Sequence, residues 1–484
     1  MNRKLILRLL GAIMCIEAIA MIPSFVVSLL HLEGGDAGCL ANCIVLEIIP
    51  GALLWLFIRP TGNTHLRLKE GFLVVALGWI LLSIFGALPF VFSGMFANFS
   101  DALFEAVSGF TTTGATVVTD FSGIPKGIMF WRASTHWIGG MGVLVLTLAL
   151  LPKLTGRTSH LVRAESPGPS LSKIVPHTGS TAKILYLIYL LLTILEFLAL
   201  LLCGLSPYDA ALHAMSNAGT GGFSNYAASI AAFDSVAVDV VITVFMFLFG
   251  VNFALYYKFL IGERFKAFYR DEEFRSYFIL VVLLILSLTV SNLSFYKGNF
   301  ATSLRYSSFS TCSLISTTGF ATSDFNLWPV TSHALVFFAM FIGSCAGSTA
   351  GGLKVVRFLL IGKMARRTIR RTVQPRKVEV VRLDGKAVDE DLLHQILVFS
   401  VVYLFLVIFG GLLLSFDGKY DLLSHLSASL TCVSNVGPAF NAFASSFSSY
   451  CVWGKLICCF LMLAGRLELF PVLILFTGSV WQKY

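Results

Sequence analysis

Charge is what this sequence has least of. Only 13% of its 484 residues are Asp, Glu, Lys or Arg, against roughly 25% in a soluble globular protein. That supply cannot solvate a soluble multi-domain enzyme, and it excludes a disordered chain, whose composition is polar and charged. The same shortage excludes a nucleic-acid-binding module, and in a membrane chain the formal net charge of +9 reports orientation in the bilayer more often than acidic partners. The ten cysteines are scattered through apolar stretches without a metal-ligand spacing. Cys39 and Cys43 either meet outside a membrane or stay as unpaired small residues. There is no nucleophile–base pair and no strand followed by G-x-G-x-x-G, so neither catalysis nor nucleotide binding has a foothold. The histidines suggest no metal site, and His136, beside Trp137 and a glycine-rich turn, reads as a packed residue.

Apolar residues fill the space that charge leaves. Hydrophobic residues make up 56% of the chain, with 43 Phe and 41 Gly, and the mean hydropathy is +0.82. A spanning helix needs about 20 mostly apolar residues. Ten segments qualify: 5–31, 39–58, 71–95, 125–151, 180–204, 234–258, 274–294, 329–361, 392–416 and 451–480. The fold class expected is an all-α integral membrane protein. The first segment opens with Arg3, Lys4 and Arg8 and has a weak cleavage-like Ala18-Ile19-Ala20. Its apolar run is too long for a signal peptide, so it reads as a retained anchor.

Most of the 35 lysines and arginines fall at the amino terminus and in the loops 59–70, 153–183, 258–275 and 363–386. The positive-inside rule makes those loops and both termini cytoplasmic. The loop 363–386 is the densest, either as a juxtamembrane anchor or as a docking surface.

Between the spans on the opposite side lies an internal repeat. Four loops end in the tripeptides Thr112-Thr113-Gly114, Thr220-Gly221-Gly222, Thr317-Thr318-Gly319 and Asn435-Val436-Gly437, roughly 100 residues apart. Six residues before each glycine stands a hydroxyl: Ser108, Ser216, Ser313 and Thr431. The preceding segments, about 100–110, 207–217, 303–313 and 421–431, are too short to span. Ser100-Asp101 and Ser206-Pro207 look like helix entries. These segments are expected to be half-helices that dip into the bilayer, where irregular backbone survives only if buried or lining water. Their carboxyl ends carry partial negative charge and favour a cation. The tripeptides beyond would turn carbonyl oxygens inward, replacing the hydration shell of a potassium ion. Divalent ions would call for carboxylates, which the tripeptides lack.

Two further features stand below this level. Gly343, Gly347, Gly351 and Gly352, among Ser, Ala, Cys and Thr, interrupt an apolar helix just before Lys354 and Arg357. This is a flexible packed turn or an unwound loop crossing a pore. Arg466 lies deep in the last span, where an arginine is expensive and normally functional. It reads as an electrostatic barrier in the pore or as half of a structural salt bridge. Arg357 is an equal candidate for a snorkelling anchor. Glu17, Glu47 and Glu196 read as satisfied core carboxyls or span-boundary residues.

In these motifs the chain resembles the TrkH subunit family of bacterial Trk potassium-uptake systems, within the Trk/Ktr/HKT superfamily. The resemblance rests on Phe110–Thr116, Trp137–Gly142, Arg163–Pro169, Gly343–Lys354 and Ala464–Glu468. The helix pair ahead of the first repeat is similar to that branch rather than to the shorter KtrB one. The resemblance implies pseudo-fourfold M1–pore-loop–M2 repeats around a central pore. Its parts would be an extra helix pair at 1–69 and repeats at 70–155, 156–262, 263–375 and 376–484, the third with a broken inner helix. Backbone carbonyls of the four tripeptides would form the filter, and Gly114 matches the potassium-selective pattern. Gly343, Gly347, Gly351, Gly352, Lys354 and Arg466 would form the gate. Potassium would be transported and no cofactor bound. The partners implied are a second copy in a homodimer, a cytoplasmic nucleotide-binding TrkA-type subunit on the basic loops and membrane lipid, with no nucleic acid. The site would be the bacterial inner membrane. The competing reading is an inverted-repeat secondary carrier of another solute.

Overall fold

The computed structural model describes residues 3–58, 68–142, 178–376 and 379–478. The loops 59–67 and 153–177, the motif 163–169, the boundary at 155/156 and the end of the span 125–151 lie outside the described residues.

Among the described residues the regular structure is helical apart from an antiparallel pair, Arg382–Leu383 with Lys386–Ala387 in the basic loop, and an isolated bridge between Ile342 and Leu353. Among the described residues six helical stretches are long and apolar enough to cross a membrane: Arg3–Leu30, Gly34–Phe57, Lys69–Phe92, Lys183–Leu202, Glu272–Asn292 and Glu390–Ser415. Several show large apolar side chains outward, among them Leu187, Leu191, Ile194, Phe278, Ile279, Leu283, Phe405 and Ile408. An apolar belt of that extent is stable only against lipid. This is a multi-pass membrane protein.

In the other four segments read as spans, the described helix stops or bends short of the full length. Lys126–Gly140 stops in the run Gly139-Gly140-Met141-Gly142, Val236–Phe249 bends by 90° into Phe253–Glu263, Val330–Phe341 gives way to a loop before Val355–Val373, and Val452–Arg466 ends before Phe470–Ile474. Each break coincides with glycine or a cluster of small residues, which weaken a helix interior. Arg466 is therefore not deep inside a continuous helix. It is the last residue of one, followed by the left-handed residues Glu468 (φ 52°) and Leu469 (φ 64°).

The repeats have a common plan of leading, short and trailing helix. The short helices are Phe99–Phe110, Pro207–Ala218, Phe300–Ile315 and Leu422–Ser434. Ser206 caps the second as expected, its Oγ accepting from Asp209 N at 3.1 Å. The first begins a residue earlier than expected, with Asn98 rather than Ser100 at the cap position. Each short helix packs on its own leading helix, Leu68–Gly86, Thr178–Leu202, Glu272–Asn292 or Glu390–Ser415, and wedges between its own trailing helix and that of the preceding repeat. The first short helix packs against the fourth trailing helix, Val452–Arg466, which closes the circle.

The amino-terminal pair sits outside this circle against the first repeat. Its helices approach closely because neither Gly11 nor Gly51 carries a side chain where each faces the other's backbone. One turn further along, Glu17 and Glu47 are buried facing each other, and no other described side chain or backbone group hydrogen-bonds either carboxyl. Both are buried core carboxyls, one of the two expected readings, and each is the other's polar partner. Glu196 is satisfied at one oxygen only, accepting from Asn217 Nδ2 at 2.5 Å, while its Oε2 has no hydrogen-bond partner among the described residues. Cys39 and Cys43 are both free, and Cys39 Sγ lies 3.2 Å from the carbonyl of Phe92.

Candidate functional site

All four short helices end the same way. The first residue of each tripeptide, Thr112 (φ 55°), Thr220 (φ 53°), Thr317 (φ 56°) and Asn435 (φ 54°), is left-handed. The amide of the next residue then reaches back to the carbonyl of the register hydroxyl: Thr113 to Ser108 at 2.9 Å, Gly221 to Ser216 at 2.9 Å, Thr318 to Ser313 at 2.8 Å and Val436 to Thr431 at 3.0 Å. This six-to-one bond around a left-handed residue is a Schellman ending. Three of the four left-handed residues are threonines, although a β-branched side chain disfavours that conformation. The third residue of each tripeptide is again left-handed: Gly114 (φ 79°), Gly222 (φ 78°), Gly319 (φ 80°) and Gly437 (φ 105°). Four chain segments thus share one backbone conformation.

These segments meet head to tail. A Cβ on Gly114 would overlap the carbonyl oxygen of Gly221, one on Gly222 that of Thr318 and one on Gly319 that of Val436. One on Gly437 would lie 2.7 Å from the carbonyl oxygen of Thr113. The contacts run first to second, second to third, third to fourth and fourth to first. The four tripeptides thus meet in one closed ring, the second and third residues of each making the close approaches through main-chain oxygen.

Beneath the third and fourth segments lies the loop 343–352. Its neck is pinned where Gly343 N donates to Leu353 O at 2.9 Å. Gly351 N donates to Thr317 Oγ1 at 2.7 Å, and a Cβ on Gly351 would overlap the carbonyl oxygen of Ser434. Cys345 N donates to Gly250 O at 3.0 Å, at the break in the second trailing helix, and Gly347 O accepts from Phe253 N at 3.1 Å. The Glu273 carboxylate accepts from Ala346 N at 2.6 Å. Arg466 ties the loop to the first repeat: Nη1 donates to Thr349 O at 2.8 Å, and Nη2 to Gly139 O at 2.5 Å and Gly140 O at 2.7 Å. Lys354 is fully buried, with Nζ donating to Ala350 O. The loop therefore contacts the second, third and fourth repeats and is linked to the first by Arg466.

Several partners in this arrangement have no counterpart in the sequence reading. Glu468 pairs with Arg357 at 2.6 Å, while the Arg357 guanidinium covers the Phe399 ring at 3.7 Å. Arg357 is thus a buried ion-pair partner, not a snorkelling anchor. Arg132 is buried against Glu105 at 2.6 Å. Glu105 also accepts from Thr116 Oγ1 at 2.8 Å and Val117 N at 3.0 Å, and Arg132 Nη1 reaches Ser224 O at 2.9 Å. This pair braces the stretches just beyond the first and second tripeptides. Arg305–Asp239 at 2.7 Å and Lys455–Asp101 at 2.6 Å each join a short helix to the preceding trailing helix. The polar residues at such fixed positions carry no periodic signal.

Comparison with known proteins decides the family. The TrkH family model, described as a cation transport protein, matches residues 39–483. The chain belongs to the TrkH family. It is a cation transporter, not an enzyme. It is 36% identical over the full length of both chains to the Trk system potassium uptake protein TrkH of Salmonella typhimurium. It is 33% identical to the Trk system potassium uptake protein TrkG of Escherichia coli, over 99% of each chain. The crystal structure of the potassium transporter TrkH from Vibrio parahaemolyticus superposes with a TM-score of 0.90, at 33% identity and with complete coverage of both chains. The circle of repeats is thus the architecture of a TrkH family member.

Proposed function

We propose that this TrkH family member carries potassium into the cell across the bacterial inner membrane, through the carbonyl ring formed by 112–114, 220–222, 317–319 and 435–437. The observation that carries this reading is the ring itself: four segments of one conformation, closed head to tail, presenting main-chain oxygen and no carboxylate. Neutral oxygen at close quarters replaces the shell of a weakly hydrated monovalent ion. The four short helices, each ending at the ring, add the partial negative charge of their carboxyl ends. Relatives named as potassium uptake proteins agree with this choice of ion. The cyclic order of the repeats argues against a carrier built from inverted halves.

In this reading the short helices are re-entrant, the interrupted trailing helices complete ten crossings, and both termini face the cytoplasm with the basic loops. The short helices, 12 to 16 residues long, reach about 18–24 Å and cannot cross a core of roughly 30 Å. The loop 343–352 closes the path beneath the ring, and Arg466 adds a fixed positive charge beside it. Regulation falls to a nucleotide-binding TrkA-type subunit docked on the basic loops, and the working unit is a homodimer.

The deciding experiment is rubidium or potassium uptake in a potassium-starved strain lacking its own systems, with the wild-type chain and with Gly319→Asp. The wild type should restore growth and uptake, and Gly319→Asp should not. Equal rescue by both would remove the ring from the ion path.

A further inference from the structure

One of the four ring segments lacks a part that the others possess. The middle residue is Thr113, Thr318 or Val436 in three segments and Gly221 in the second. Those three side chains hold the middle of their segments in place, by bonds to the end of the short helix or to a neighbouring segment, or by burial. Thr113 Oγ1 bonds Thr111 Oγ1 at 2.8 Å and accepts from Asn435 Nδ2 at 2.9 Å, Thr318 Oγ1 bonds Ser316 Oγ at 2.6 Å, and Val436 is fully buried. Gly221 offers nothing of the kind, yet its segment has the same conformation as the rest.

The space is filled from another repeat. A Cβ on Gly221 would overlap the imidazole of His136 at Nδ1, Cγ and Cε1. His136 lies on the trailing helix Lys126–Gly140 of the first repeat and is completely buried. Its Nδ1 is 2.9 Å from Ser216 Oγ, the hydroxyl that marks the register of the second repeat, and 3.4 Å from Phe223 N, just past the tripeptide. The ring stacks on Phe223 at 4.0 Å between centroids, and Phe223 is covered in turn by the Arg132 guanidinium at 3.5 Å. The backbone of His136 also bears on Gly219, where a Cβ would overlap its carbonyl oxygen. One imidazole thus touches the second segment before, at and after its middle residue.

We propose that His136 is a specificity-determining positioning residue: supplied by the first repeat, it does for the second segment what Thr113, Thr318 and Val436 do for theirs. It fixes how closely the carbonyls of Thr220 and Gly221 approach the axis, and so how well the ring discriminates potassium from the smaller sodium ion. This rests on the carbonyl-ring reading above. A close-packed interior transmits small volume changes to its neighbours, so removing the imidazole lets the second segment relax outward. Adding a methyl at Gly221 with the imidazole present drives the segment inward.

The test uses the full chain in liposomes, with potassium, rubidium and sodium fluxes measured separately. His136→Ala should lower the potassium-to-sodium flux ratio by roughly 5-fold or more while ions still pass. Gly221→Ala should cut potassium flux by at least about 10-fold, through the overlap with the imidazole. His136→Ala combined with Gly221→Ala should recover both flux and ratio relative to either single variant, because the methyl then occupies the vacated space. An unchanged ratio in His136→Ala, or a double variant no better than the worse single one, overturns the proposal. Gly319→Asp in the same vesicles separates the two levels. If it conducts like the wild type, the ring reading falls and this inference with it; if it is inactive while His136→Ala keeps the wild-type ratio, only the role of His136 falls. Should His136→Ala not be recovered folded, Ser216→Ala keeps the imidazole but frees it to turn. A lowered potassium-to-sodium ratio in that variant then supports the proposal, and an unchanged ratio overturns it.

Discussion

Gly351 donates its amide to Oγ1 of Thr317 at 2.7 Å, so the loop is hydrogen-bonded to a side chain of the ring above it. The loop cannot leave without breaking that bond. Ring and loop are one mechanical unit on the side of the third repeat.

Thr317→Val removes the acceptor while keeping the side-chain shape and the main-chain carbonyl. A buried amide left without its partner costs about 1–3 kcal/mol. Hydrogen exchange of residues 349–352 should accelerate by roughly 5-fold or more, and basal potassium flux should rise with the potassium-to-sodium ratio unchanged. Exchange mass spectrometry and vesicle flux check the two halves separately.

Arg466 contributes a positive charge and three hydrogen bonds to main-chain oxygen below the ring. A unit charge about 4 Å from a passing cation is worth about 4 kcal/mol at an effective dielectric of ~20. Arg466→Ala should raise cation flux by at least about 10-fold, and Arg466→Lys should fall between it and the wild type. Lower or unchanged flux at normal expression would mean that the residue holds the loop without opposing the ion.

The Glu105–Arg132 pair is buried on both sides. Removing one partner from such a pair costs about 3–5 kcal/mol because the other charge is left uncompensated. Arg132→Met should therefore lower the melting temperature in detergent far more than Lys455→Met, whose pair with Asp101 reaches solvent. Glu105→Gln keeps an acceptor for Thr116 and Val117 and should be the milder of the two Glu105–Arg132 substitutions.

Gly114 combines a φ of 79° with direct approach to the Gly221 carbonyl oxygen. Gly114→Ala adds a left-handed cost of about 1–2 kcal/mol and a steric overlap at the ring. Potassium uptake should fall by about 100-fold, a displacement of the ring on the order of 1 Å being sufficient for a loss of that size. Protein yield should fall much less. Equal losses of yield and uptake would point to folding alone.

The repeat is legible in the sequence because glycine at a fixed register, with a hydroxyl six residues before it, is a local signal that hydropathy confirms at each span. The left-handed threonines are not. Nothing in Thr112, Thr220 or Thr317 announces a conformation that their side chains disfavour, and only the Schellman ending explains it. The interruption at 343–352 shows in its composition. The breaks at Gly250 and after Arg466 do not, because one or two small residues inside an apolar run read as a continuous helix. Partners far apart in sequence, such as Arg357 with Glu468 or His136 with Gly221, depend on how the repeats pack and leave no trace in spacing. Glu17 and Glu47 escape for the same reason: each looks like an ordinary core acid until the helix pair sets them face to face.

Each short helix is wedged against the trailing helix of the repeat before it, so the circle would close equally well from four separate identical chains. Such an assembly would have to install any obstruction beneath the ring four times over, or not at all. Joining the quarters in one polypeptide lifts that constraint. Mutation can then give one quarter a loop beneath the ring, another an arginine hydrogen-bonded to that loop and a third an imidazole packed against its neighbour's segment.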